Sequence, residues 1–137
     1  MTDAELIARK LALVETYVRE LRALAEPERI AVDVREERFV EHTLQIAIQS
    51  VLDVASHIVS DQRLGEPRTN QELFELLARN GWLTDELSRS LRAAAGLRNI
   101  LVHGYAAVDK AIVRDVVENR LDDLIAFAKA VRVRLGL

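Results

Sequence analysis

The chain has 137 residues, which suits one domain with a real core; half of them are hydrophobic, 30% are charged, and the formal net charge is −3. That balance excludes a general electrostatic attraction to nucleic acid, so any contact with RNA or DNA has to come from a local basic patch. No cysteine is present, which excludes disulfides and thiolate metal sites and fits a reducing cytoplasm.

Aromatic residues make up only 4%, so the core must be built from Leu, Val, Ile and Ala, a mixture that favours helices packed on helices. The opening "MTDAELIARK" has no apolar leader segment, and no apolar run reaches membrane-spanning length. Thr2 with Glu5 reads as a capping box, opening a first helix through Leu6, Ile7, Leu11, Leu13, Val14, Val18 and Leu21. It runs to about Leu24 and stops before Pro27. A second helix starts near Asp33 and carries a wide apolar face from Phe39 to Val59. It ends in "SDQRLGEP", where Gly65 and Pro67 mark a loop. Thr69 with Glu72 opens a short helix that Asn80-Gly81 closes. Thr84 caps a fourth helix, with Asp85 and Glu86 suited to its positive end, and that helix stops at Gly104. Asp109 caps a last helix through Val113, Val116, Val117, Leu121, Leu124, Ala128 and Val131. The expectation is an all-α, up-and-down bundle of four major helices plus one short helix, residues 1–137 forming a single domain.

The fourth helix holds the chemistry. On a wheel of about 100° per residue, Ser88, Arg92, Asn99 and His103 fall in a wedge roughly 60° wide, with Gly96 at its edge. Most of the rest is apolar, so the helix is expected to be buried on nearly all sides except that strip. Arg98 lies off the strip, near the direction of Leu91 and Val102, where a guanidinium is expensive unless paired or facing a wet pocket. Taken singly, an arginine or histidine at a helix end serves the last carbonyls, and a tyrosine after a glycine packs as a lid. Arg98, Asn99, His103 and Tyr105 within eight residues are less easily explained that way.

"RNILVHGY" resembles the signature of the HEPN superfamily, an arginine, a polar residue and a histidine near the end of a helix. The form R-x4-H-x-Y resembles more narrowly the HepT-like ribonuclease toxins of HepT/MNT-type toxin–antitoxin systems. The resemblance covers nearly the whole chain, because "HTLQIAIQSVLDVASHIV", "ELFELLARNGWL" and "GLRNILVHGY" follow a long first helix in the expected order. It implies a metal-independent endoribonuclease, the toxin of a type VII-like pair, acting as a homodimer with a shared cleft. Arg98 and His103 would be its ribonuclease residues and Asn99 a polar helper. Tyr105 would be the residue adenylylated by a cognate minimal nucleotidyltransferase. No cofactor, metal ligand set or membrane partner is expected, and RNA is the expected substrate.

The residues agree with that carry-over. Histidine moves protons near neutral pH, and arginine grips a phosphate with two parallel donors. Arg98 and His103 are about 140° apart around one helix, so a two-fold partner would help to bring their chemistry together. Two alternatives stay open: a non-catalytic adaptor of the same fold that binds nucleotide or protein, and a purely structural helical dimer. Elsewhere, His42 and His57 are too few for a metal site, and Asp53 with His57 is a helix-stabilising spacing. "KAVRVR", with Lys129, Arg132 and Arg134, reads as a solvated helix end or an RNA-backbone patch, and Glu36, Glu37 and Arg38 read as a wet face.

Overall fold

Among residues 3–104 and 108–137, which the computed structural model describes, there are six α-helices, one 3₁₀ turn and no strand. The helices are α1 (Ala4–Leu24), α2 (Val34–Asp61), α3 (Asn70–Arg79), α4 (Asp85–His103), α5 (Lys110–Asn119) and α6 (Leu121–Leu135); Pro27–Arg29 forms the 3₁₀ turn.

Side-chain oxygens set most helix starts. Asp3, not Thr2, caps α1, accepting the Leu6 N–H at 3.0 Å. Thr2 lies outside the described residues. Asp33 caps α2 by accepting the N–H groups of Arg35 and Glu36. Those two bonds, with Arg29 nearby, hold its carboxyl below the usual range. Thr69 caps α3 through the Glu72 N–H at 3.3 Å, while the Glu72 carboxylate takes the N–H of Arg68 at 2.6 Å. The reciprocal half of the box is therefore shifted one residue upstream. Thr84 and Asp109 cap α4 and α5. Gly65 adopts a φ of +146° in the α2–α3 loop, and a Cβ there would stand 2.8 Å from the Leu76 side chain.

The expected last helix is two. Arg120 leaves helical geometry at φ −121° and ψ 1°, and α6 restarts with Asp122 and Asp123 in its first turn. The apolar spacing runs through the break because both pieces rest on the same core, with Val113, Val117, Leu121 and Leu124 all buried.

Helix α2 lies at the centre, touching the other five helices. It buries Val40, Leu44, Ala47, Ile48, Val51, Ala55 and Ile58 to 1% exposure or less. Helices α1 and α6 pack together along one side of it, and α3 and α4 form an antiparallel pair on another. Phe74 of α3 meets Phe127 of α6 edge to face, ring centroids 6.2 Å apart. Among the described residues no helix is long and apolar enough to cross a membrane.

Candidate active site

Helix α4 is anchored by Leu91, Ala95, Leu97 and Leu101, all buried. The expected polar strip is not a single wet face. Ser88 is buried and its Oγ donates to the Phe74 carbonyl at 3.0 Å. Arg92 pairs with Glu75 at 3.0 Å, and Gly96 lies next to the Gln71 amide. The strip's first half is turned onto α3, whose facing edge is polar and pairs with it, although the buried Arg92 Nε has no hydrogen-bond partner among the described residues. The side that faces solvent is instead Arg89, Ala93, Ile100 and His103, with Ile100 43% exposed. The expectation of near-complete burial fails on that side, because no other helix among the described residues covers it.

At the C-terminal end of α4 the structure brings Arg98 and Asn99 together. The half-buried Arg98 donates from Nη1 to the Asn99 Oδ1 at 3.2 Å. Its Nε is buried and has no hydrogen-bond partner among the described residues. A donor in that state is costly in a chain on its own and available to an acceptor from outside. His103 is exposed in the last turn, and Gly104 ends the helix by donating its N–H to the Ile100 carbonyl at 2.8 Å. No hydrogen bond joins His103 to Arg98 or Asn99 among the described residues. Tyr105 lies outside the described residues.

The other sequence-level candidates are absorbed by the fold. Asp53 does not meet His57: it accepts from Lys10 at 3.1 Å and from Gln49 at 2.8 Å. His57 Nε2 accepts the N–H of Asp3 at 3.2 Å, tying the start of α1 to α2. Arg132 pairs with Glu15 at 2.7 Å. Arg134 stacks over Trp82 at 4.7 Å and donates to the Gly81 carbonyl. Two of the three cations in "KAVRVR" therefore clasp neighbouring elements rather than form a free patch. Glu36 accepts the Glu26 N–H, and Glu37 pairs with Lys110 at 3.3 Å, so that face is also structural. Burial, with the neighbouring Glu37 carboxylate, raises the pKa of Glu41 above the ordinary value. Sequence reasoning missed Lys110, which follows the capping Asp109 and pins α5 to α2.

The model of the ribonuclease HepT-like proteins matches residues 11–131. The chain belongs to the ribonuclease HepT-like family. It is 30% identical over 129 residues to an mRNA nuclease HepT of Shewanella oneidensis, covering 93% of this chain and 97% of that one. It is 33% identical over 116 residues to a tRNA nuclease HepT of Aphanizomenon flos-aquae, covering 80% and 77%. Among solved structures, a toxin–antitoxin with AMP-PNP superposes with a TM-score of 0.87 at 29% identity, over 94% of this chain and 98% of that chain. A tri-AMPylated Shewanella oneidensis HEPN toxin in complex with MNT antitoxin superposes at 0.86 with 30% identity, over 97% and 99%. The all-α architecture is thus the HEPN fold of this family.

Proposed function

We propose that this single-domain chain is the toxin of a toxin–antitoxin pair, an endoribonuclease of the cytoplasm that cuts RNA without a metal ion. Its partner is a minimal nucleotidyltransferase that silences it by adenylylating Tyr105. The relatives named as mRNA and tRNA nucleases, and the AMPylated toxin in complex with an antitoxin, support this reading. The observation that carries it is the end of α4, where a half-buried guanidinium leaning on Asn99 keeps an unused buried donor, one turn from an exposed histidine.

The reaction needs little else. The RNA carries its own nucleophile, the 2′-oxygen, which attacks the adjacent phosphorus. The bond from phosphorus to the 5′-oxygen breaks, and the products are a 2′,3′-cyclic phosphate and a free 5′-hydroxyl. His103 moves the proton, from the 2′-oxygen or to the leaving 5′-oxygen. Arg98 holds the phosphate as charge develops, and Asn99 fixes the guanidinium. A homodimer covers the solvent side of α4. An AMP group on Tyr105, two residues from His103, brings a phosphate that competes for the same cation and blocks entry.

Purified protein incubated with RNA in excess chelator tests the first half: fragments ending in a 2′,3′-cyclic phosphate, or its hydrolysis product, are expected. Intact RNA under every metal condition would overturn it and favour an adaptor. Tyr105→Phe tests the second half. It is expected to cleave RNA like wild type and to resist silencing by the partner with ATP. Silencing of Tyr105→Phe, with no adenylyl group on the wild-type tyrosine by mass spectrometry, sinks the regulatory part alone.

A further inference from the structure

The row Ser88, Arg92, Gly96, Asn99 and His103 of α4 is covered by α3 for only part of its length. Ser88 bonds the Phe74 carbonyl, Arg92 pairs with Glu75, and Gly96 stands beside the Gln71 amide. As the numbers rise along α4 they fall along α3, so the two helices run antiparallel and the start of α3 points toward the end of α4. Asn99 and His103 lie three and seven residues beyond Gly96, about 4.5 Å and 10 Å further along the axis. In that direction α3 has one residue left beyond Gln71, which is Asn70. What the chain brings toward the uncovered half of the row is therefore the segment before α3, "GEPRT".

That segment is held at both ends. Gly65 lies against the Leu76 side chain, so residues 66–69 run beside α3 from its middle to its first turn. Pro67 fixes one backbone angle on the way. Thr69 is extended, at φ −137° and ψ 163°, and its hydroxyl accepts the Glu72 N–H. The Glu72 carboxylate accepts the Arg68 N–H at 2.6 Å. In a regular capping box that carboxylate serves the N–H of the cap residue itself. Here it fixes the backbone of an arginine, at the end of α3 nearest His103.

The guanidinium of that arginine is left over. Arg68 is exposed, and its side chain takes part in no ion pair or hydrogen bond among the described residues. A fixed backbone under a cation with no partner of its own is an arrangement prepared for an anion from outside the chain. A chain of net charge −3 has no diffuse attraction for a polyanion, so local cations of this kind must supply it.

We infer that Arg68 is a second phosphate contact of the RNA site, holding the phosphate of a neighbouring nucleotide while Arg98 holds the one that reacts; the assignment rests on reading the end of α4 as a ribonuclease site. The two arginines then do different things. Arg98 meets charge that develops in the transition state, so it sets the rate. Arg68 meets a phosphate that is unchanged by the reaction. It binds substrate and transition state equally and sets the affinity.

Kinetics and binding test this separately. Arg68→Ala is expected to raise KM for a single-stranded RNA about tenfold and to leave kcat within about twofold, whereas Arg98→Ala lowers kcat. Arg68→Lys keeps the charge, loses the planar fork and should fall between Arg68→Ala and wild type. A structural role would not alter salt dependence, so the deciding measurement is binding. In a His103→Ala background, fluorescence anisotropy with a labelled single-stranded RNA gives the slope of log affinity against log salt. Adding Arg68→Ala should make that slope shallower by about 0.7, and adding Arg19→Ala, an exposed arginine of α1, should leave it unchanged. Unchanged KM and slope in a protein that cleaves RNA overturn the contact and leave the ribonuclease reading standing. A loss of kcat at constant KM also overturns it, because Arg68 would then act on the reacting phosphate. A wild type that cleaves no RNA, with the Arg68-dependent slope intact, keeps the contact and removes the ribonuclease reading. Absence of any RNA binding overturns both.

Discussion

Helices α2 and α4 both carry a histidine four residues after a polar partner, and the fold treats them in opposite ways. On α2 the row Gln49, Asp53 and His57 is tied to the chain at each step: to one another, to Lys10 and to the backbone of Asp3. On α4 the row Asn99 and His103, with Arg98 beside it, has one internal bond and, among the described residues, one buried donor without an acceptor. Residue type does not separate the two rows. What separates them is whether the row bonds to another helix, for a buried atom without a partner occurs in both, Gln49 Oε1 in one and Arg98 Nε in the other. The row tied to Lys10 and Asp3 holds helices together, and the row with no bond to another helix among the described residues is open to something that binds.

The sharpest way to break that contrast is to remove each histidine. His103→Ala is expected to lower RNA cleavage by about 10²–10⁴-fold, the usual range for a lost proton-transfer group, with the melting temperature nearly unchanged. His57→Ala should leave cleavage within about twofold and lower the melting temperature, because it frees the start of α1. Equal losses of cleavage in both would erase the distinction.

The arginines give the next effect. Arg98→Ala is expected to cost about 10²-fold or more in cleavage through lost charge stabilisation. Arg92→Ala gives up the pair with the half-exposed Glu75 and should cost at most about 1 kcal/mol of stability, read by denaturant titration. A stability loss for Arg98→Ala as large as its activity loss would make Arg98 a packing residue.

The smallest effect concerns Glu41, a carboxylate whose burial is incompletely compensated. Its folded pKa lies above the unfolded value, so the folded state favours the protonated form. Stability from this group is therefore fully present below its ordinary pKa and is lost as pH rises through the raised value. Glu41→Gln should melt slightly higher than wild type at pH 7 and alike at pH 4. Asp33 provides the opposite sign. Its carboxyl is held low by two N–H groups, so its contribution is present at neutral pH and lost in acid, as Asp33→Ala melting curves at pH 7 and below pH 3 will show.

Much of this was legible because it is local. Thr69, Thr84 and Asp109 were readable as caps, and Asp33 as a helix start, since a cap needs only a side-chain oxygen and the next turn's N–H. The angle between Arg98 and His103 followed from helical geometry alone. The break at Arg120 was hidden by continuous apolar spacing, although Asn119 followed by Asp122 and Asp123 marks an end and a new start. The turning of Ser88 and Arg92 onto α3 was not readable. Their partners Phe74 and Glu75 lie 14 and 17 residues away, and nothing short of the packed pair says which side of α4 the short helix takes.

The packing of α6 against α1 also orders events in time. Arg132 bonds Glu15 across 117 positions, and Arg22 reaches Asp122 across 100. During synthesis α1 emerges first and waits for its second wall until α6 has been made. Closing so long a loop adds little entropic cost per extra residue, yet it makes assembly of the bundle a late and collective step. A chain interrupted between α4 and α6 already carries Arg98, Asn99 and His103, and also α2 and α3, on which α4 mainly packs, but it lacks the wall that closes α1. The first helix made and the last one thus complete each other, and the bundle closes only when both ends of the chain have met.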